Sequence, residues 1–176
     1  AIKGKMDSLE KAKEVTSLIV GGEKVNLRLP SNVSTSEDNP AGVIVLSNRK
    51  EIKVSQIIPQ NIVVGIGCRR GTSKENIIDA VEKAMDEANL QINSIRIFAT
   101  VDLKGDEVGL LETVKHYDKE LAVIPREKIL PIEDDFEGSD FVKKSIGVKS
   151  VSAPCAFLAS ESKGKFVTEK MRHDGI

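Results

Sequence analysis

Residues 62–75 read Ile-Val-Val-Gly-Ile-Gly-Cys-Arg-Arg-Gly-Thr-Ser-Lys-Glu, an apolar run that passes through a glycine-rich turn into a helical pattern. Ile62, Val63, Val64 and Ile66 form the short uninterrupted segment expected of a strand covered on both faces. Gly65, Gly67 and Gly71 allow the backbone to turn sharply and leave its N–H groups uncovered by side chains. Thr72 with Glu75 has the spacing of a capping box, which predicts a helix start there. A helix start with glycines before it and Arg69 and Arg70 beside it suits an anion.

Working outward, the helix after this turn places Ile77, Ile78, Val81, Ala84, Met85 and Ala88 on one stripe, with Lys74, Asp79, Glu82, Lys83 and Asp86 outside it. Residues 94–100 read as the next strand, with Ile95, Ile97 and Ala99 on one side, completing a βαβ unit. The charged stretch from Asp102 to Glu107 lies at that strand's carboxyl end and leads into a helix over roughly 106–117. Residues 121–124 form a third strand. Ser139 caps a short helix that Gly147 ends, an apolar helix covers 152–159, and 165–169 reads as a last strand. The expectation is an α/β protein whose main domain, 61–176, is a three-layer α/β/α arrangement around a mixed, mostly parallel sheet.

Residues 1–60 read as a smaller α/β segment. A helix is expected from Asp7 to Val20, with Asp7 and Glu10 at capping positions and Gly21 and Gly22 as its stop. Residues 23–29 alternate as a strand, 30–40 form a polar loop, 41–46 a second strand, and 47–60 connecting chain with a boundary near Pro59. The chain starts at Ala1 without Met, which reads as a piece of a longer polypeptide.

Composition narrows the function. At 176 residues and 40% hydrophobic the chain can bury one good core or two small ones, and 3% aromatic content without Trp argues against a base-stacking surface. A net charge of -1 gives no global attraction for nucleic acid or membranes. No apolar run approaches the ~20 residues of a membrane span and no basic-then-apolar leader is seen, so the cytoplasm is expected. Cys68 and Cys155 are too few and too far apart for a disulfide framework or a zinc site, and no metal site is expected.

The turn fails two nucleotide motifs. Its glycines are spaced Gly65-x-Gly67-x-x-x-Gly71, one place too long for the dinucleotide fingerprint, and no Gly-Lys-Ser/Thr follows. What remains is a tight strand-to-helix turn with two solvated arginines, or an anion site at strand carboxyl ends, where ligands of α/β sheets usually lie. Thr100, Asp102, Lys104, Asp106 and Glu107 belong to the neighbouring loop, where a carboxylate paired with a lysine could act as general base or orient a ligand. Cys68 beside two arginines is expected to favour the thiolate, yet neither His116 nor His173 is placed to partner it, and a small residue filling a tight turn accounts for it. Cys155 reads as core.

Three ordered blocks then resemble a known family. Val64-Gly-Ile-Gly-Cys-Arg-Arg-Gly-Thr-Ser, Ala99-Thr-Val-Asp-Leu-Lys-Gly-Asp-Glu-Val-Gly-Leu and Gly147-Val-Lys-Ser-Val-Ser-Ala-Pro-Cys-Ala are similar to the carboxyl-terminal domain of CbiG, shared with CobE. Residues 1–60 resemble the central region of CbiG more loosely. The resemblance implies cobalamin biosynthesis by the anaerobic route: a cobalt-precorrin-5A hydrolase that opens a ring δ-lactone and releases acetaldehyde. It implies a cobalt-corrinoid ligand, cobalt carried by the substrate with no separate cofactor, and a missing amino-terminal domain as partner. On chemical grounds Asp102 or Glu107 would serve as base and Lys104 or Arg69 as electrophilic donor, and Gly65, Gly67, Cys68, Arg69, Arg70, Gly71, Thr72 and Thr100 would line the binding site. The sequence departs from the family at Ala153, where Glu is usual, so a corrinoid-binding module without chemistry is the alternative, and a phosphate or nucleotide binder using the same turn is a third.

Overall fold

The computed structural model describes residues 4–6, 8–23, 50–168, 171 and 176, and the chain divides into two compact units, Ala1–Asn61 and Ile62–Ile176. The second unit contains the glycine turn. Its strands β3 (Ile62–Gly65), β4 (Ile95–Val101) and β5 (Glu120–Ile124) lie side by side in that order, all parallel. Helix α2 (Lys74–Glu87) joins the first pair of strands and α3 (Val108–His116) the second, and both pack into one core with Phe98 of β4. Consecutive strand order with both connecting helices on one face is what two crossovers of the same hand produce.

Side-chain alternation along β4 divides the interior. On one side Ile77, Val81 and Met85, spaced four apart on α2, meet Leu110 and Val114 of α3, Ile95 and Phe98. Each fully buried aliphatic side chain of this kind contributes about 1.5–3 kcal/mol. On the other side Ala99 and Val101 meet Val148, Val151 and Cys155, the last on helix α6 (Ser152–Ala159). Helices therefore cover both faces, giving the expected α/β/α layering around a sheet that is parallel throughout its three strands.

Ile95 and Ala99 do not share a side as the alternation suggested. The register of β4 against β3 slips between the pairs Ile62–Ile95 and Val63–Ile97, so Arg96 has no opposite number and Ile95 joins Phe98. Arg96 instead donates from Nη2 to the Ala159 carbonyl at the end of α6, 3.2 Å away.

The remaining elements brace the ends of the strands. After β5 come a short helix α4 (Arg126–Ile129) and a 3-10 stretch, Leu130–Asp135, neither of which the sequence pattern suggested. Helix α5 (Asp140–Ile146) follows and ends at Gly147, whose φ of 86° lies in the left-handed region. Residues 163–168 form no strand, contrary to the alternating pattern expected from 165 onward.

The first unit holds helix α1 (Leu9–Val20) and a two-stranded antiparallel ladder, β1 (Gly4–Met6) with β2 (Ile57–Pro59). The α1 cap is Ser8, whose hydroxyl accepts from Lys11 N at 3.3 Å. Asp7 and the strands expected over 23–29 and 41–46 lie outside the described residues, apart from Glu23. The stretch read as connecting chain up to Gln60 contains β2.

One contact in the second unit is unforgiving. A Cβ added at Gly65 would collide with the Ser152 carbonyl oxygen, since the start of α6 rests directly on the end of β3. Gly65→Ala is expected to destabilise the unit by about 3 kcal/mol through overpacking. Denaturant unfolding is the check, and a midpoint equal to that of the parent chain would refute the close packing.

Candidate functional site

Parallel strands send all their carboxyl ends to one edge of the sheet. At that edge the glycine turn follows β3, a 3-10 turn at Asp102–Lys104 follows β4, and Pro125 and Arg126 follow β5. The backbone of 148–152 completes the arrangement: a Cβ added at Gly67 would lie 3.0 Å from that of Val151. The three sequence blocks thus meet in space.

The centre of the edge is Glu107. Its side chain is 8% exposed, and it accepts from Gly71 N at 3.1 Å through one oxygen and from Lys104 Nζ at 3.3 Å through the other. Arg70 Nη1 lies 3.3 Å from the same second oxygen, and Arg70 Nη2 donates to the Leu103 carbonyl at 3.2 Å. The Lys104 side chain is 11% exposed, so this lysine and carboxylate form a buried pair, whereas Arg70 is 66% exposed. Gly71 has a φ of +74° and can take this left-handed conformation without strain. The anion in the glycine turn is thus supplied by the chain itself.

Local capping differs from the expected box. Ser73, not Thr72, is the N-cap of α2, and its hydroxyl accepts from Asn76 N at 3.3 Å. Thr72 donates from Oγ1 to the Arg69 carbonyl at 2.8 Å, closing the preceding turn. Glu107 occupies the N-cap position of α3, but its side chain reaches across to the glycine turn instead of capping its own helix. A Cβ at Gly109 would run into the Thr72 carbonyl oxygen, so the two loops are in contact as well as hydrogen-bonded.

Asp102 forms a second charged pair. Arg126 Nε lies 3.0 Å from one of its carboxylate oxygens and 3.2 Å from the other, and Leu103 N donates to it at 2.8 Å. Arg126 Nη1 also reaches the Ile146 carbonyl, 3.4 Å away, which ties the edge to the end of α5. Arg69 is exposed and makes no ion pair among the described residues.

The residues singled out in sequence therefore fall into two groups. Arg69, Arg70, Gly71, Thr72, Asp102, Lys104 and Glu107 converge on the carboxyl edge. Gly65 and Gly67 face the start of α6, and Thr100 is fully buried, its hydroxyl donating to the Ile66 carbonyl at 2.8 Å. Cys68 is 6% exposed, and burial pushes its thiol up, an effect opposed by Lys104 and reinforced by Glu107. The expected thiolate character is therefore corrected: loss of hydration outweighs the nearby cation. Burial, with the Asp102 charge adding to it, pushes the Cys155 thiol up to about 12. Arg126 was overlooked, although its place just after the third strand marks it; Glu133, buried in an acidic run, carries no comparable signal.

The family described as "Cobalamin synthesis G C-terminus" matches residues 62–176, the whole of the second unit. The chain belongs to this family. The probable cobalt-precorrin-5A hydrolase of Methanocaldococcus jannaschii is 35% identical over 127 residues, which cover 67% of this chain and 39% of that protein. The cobalt-precorrin-5A hydrolase of Salmonella typhimurium is 31% identical over 121 residues, 69% of this chain and 34% of that protein. The chain thus spans little more than a third of these relatives. A solved structure of CobE, a protein from the cobalamin (vitamin B12) biosynthetic pathway, matches with a TM-score of 0.59 at 24% identity. The match covers 64% of this chain and 83% of CobE, and it is a likeness of fold. In this cobalamin synthesis G unit, sequence family and α/β architecture thus agree.

Two outcomes test the site as described. Glu107→Ala strands Lys104 and the Gly71 N–H, and should lower stability by about 3 kcal/mol, the usual penalty for removing one partner of a buried pair. A chemical-unfolding curve that superimposes on the parent's would contradict the burial of this pair. Because both thiols titrate above their ordinary range, neither should be alkylated by iodoacetamide at pH 7.5 while folded, and both should react in denaturant; rapid native labelling of Cys68 would show that its turn opens.

Proposed function

We propose that the chain is the corrinoid-binding part of a cobalt-precorrin-5A hydrolase, holding the substrate's acetate and propionate groups at the carboxyl edge of the sheet. The observation that carries this reading is the convergence of the three family blocks there, in a unit whose sequence relatives bear that name. Arg69, exposed and unpaired among the described residues, is the cation available to a substrate carboxylate. Arg70 and Lys104 are engaged by Glu107 and contribute a fixed positive field next to it.

Opening of a lactone requires a water activated for attack on the carbonyl carbon and a donor for the oxyanion that forms. Asp102, one-third exposed and oriented by Arg126, is the candidate base, and Arg69 the candidate donor, Lys104 being held in its buried pair with Glu107. Water gives a proton to the base and adds, the tetrahedral intermediate collapses, and the ring oxygen leaves as a hydroxyl while the carbonyl becomes a carboxylate. Acetaldehyde is then released when that hydroxyl loses its proton and its carbon becomes the aldehyde carbonyl, the carbon–carbon bond to the macrocycle breaking and its electron pair passing, with a proton, to the macrocycle. Cobalt belongs to the substrate, and this chemistry asks for no further cofactor. A cytoplasmic setting fits two free cysteines in the described residues.

A second reading, binding without turnover, draws on Ala153 in the first turn of α6, where the resemblance leads one to expect Glu, and on the chain's short span relative to the hydrolases. Incubation with the cobalt-precorrin lactone, followed by an assay for acetaldehyde, separates the two. Acetaldehyde formation supports the hydrolase; saturable binding without it supports the binding module; no binding at all overturns both. Arg69→Ala should weaken binding by about 1.5 kcal/mol, close to tenfold. Unchanged affinity at low salt would remove this loop from the site.

A further inference from the structure

Among the described residues the two buried carboxylates are Glu107 and Glu133. Burial of a carboxylate is unfavourable unless its oxygens are paired, so both positions call for a structural account. Their pairing follows one scheme. Each has one oxygen on a lysine of its own neighbourhood and the other on a backbone N–H of a separate segment: Lys104 and Gly71 for Glu107, Lys143 and Lys149 for Glu133. In Glu133 these distances are 2.6 Å to Lys143 Nζ and 3.1 Å to Lys149 N.

Lys149 belongs to the strip 148–152 that closes the site. Val148 and Ser150 are fully buried, Val151 abuts Gly67, and the Ser152 carbonyl oxygen abuts Gly65. The strip is held from several sides: Glu133 takes the Lys149 N–H, Ser139 N donates to the Lys149 carbonyl at 2.8 Å, and Asp134 pairs with Lys149 Nζ. Glu133 is the buried member of this set and the one whose oxygen fixes the strip's backbone in register. We infer that Glu133 is a positioning residue for the corrinoid site, setting from behind the wall that 148–152 presents to the glycine turn, as Glu107 sets the wall on the other side.

The inference rests on the carboxyl-edge reading of the site, and its test separates the two. Glu133→Ala removes the acceptor, whereas Glu133→Gln keeps an oxygen for the Lys149 N–H and gives up the charge that meets Lys143. The 176-residue chain is titrated with cobyrinic acid, a corrinoid polycarboxylate, and followed by visible absorption. Glu133→Ala should weaken binding about tenfold or more, the scale of effect expected from a small misplacement of a binding wall. Glu133→Gln should restore affinity to within about threefold, since the acceptor for the backbone N–H is retained. Wild-type affinity in the alanine variant, or equal weakening in both, would overturn the role, the latter by assigning the effect to the ion pair. Amide hydrogen exchange without ligand supplies a second readout: protection across 149–152 should fall in Glu133→Ala and persist in Glu133→Gln. Unaltered protection in the alanine variant would overturn the inference even if the parent chain bound no corrinoid, an outcome that on its own would count against the site.

Discussion

A carboxylate buried between two loops holds the carboxyl edge together. Glu107 follows the turn after β4, yet its oxygens serve the Gly71 N–H and Arg70 in the turn after β3, and Lys104 in its own loop. A buried ion pair is a weak source of stability when compared with an apolar replacement, because desolvation offsets most of the attraction. What it provides here is registration: two loops, each free to adopt many conformations alone, are fixed relative to each other by one side chain with two defined acceptors. The glycine turn is therefore flanked by cations without being an open anion cradle. The amide of Gly71 is already satisfied, and Arg69 is exposed and makes no ion pair among the described residues.

Registration on the sheet's opposite face is steric. Gly65 and Gly67 lie where the start of α6 meets the end of β3, and any side chain there would push the helix away. Glycine at these positions serves close approach of backbone to backbone, whereas Gly71 serves a left-handed φ. The Gly-x-Gly-x-x-x-Gly spacing thus meets two physical demands at once. Its extra residue relative to a dinucleotide fingerprint matches that division, because the last glycine bends towards Glu107 and does not open a helix onto a pyrophosphate.

Much of the second unit was legible in the sequence, since β3, β4, α2 and α6 are long or continuous enough in apolar character to declare themselves. What was not legible has identifiable causes. Ile95 falls on the opposite face from Ala99 because a one-residue slip at Arg96 reverses the alternation there, and a slip leaves no mark in composition. Thr72 looked like a cap because Thr-x-x-Glu fits a box, but Ser73 offers the same chemistry one residue on and Thr72 is used to close the turn. Cys68 was assigned the wrong direction because arginines adjacent in sequence point outward while the thiol points into the core of Ile77, Phe98 and Leu110. Glu133 lies within Glu-Asp-Asp, a run that reads as solvated, and only the fold reveals that the first of the three turns inward.

Ala153 gains its meaning from this geometry. It sits in the first turn of α6, next to Ser152, whose carbonyl rests on Gly65, and two residues before the buried Cys155. A carboxylate at that position would stand near a helix start, where negative charge is favoured, and beside the edge that already holds Asp102 and Glu107. Both of those carboxylates are matched by cations, Asp102 by Arg126 and Glu107 by Lys104 and Arg70, and Arg70 Nη1 also lies 3.7 Å from Asp106. With alanine there, no carboxylate is added, and the cations Arg69, Arg70, Lys104 and Arg126 outnumber the acids Asp102, Asp106 and Glu107 at this edge. Under the proposed reading that balance favours a polycarboxylate ligand and leaves Asp102, part-exposed and oriented by Arg126, as the candidate base.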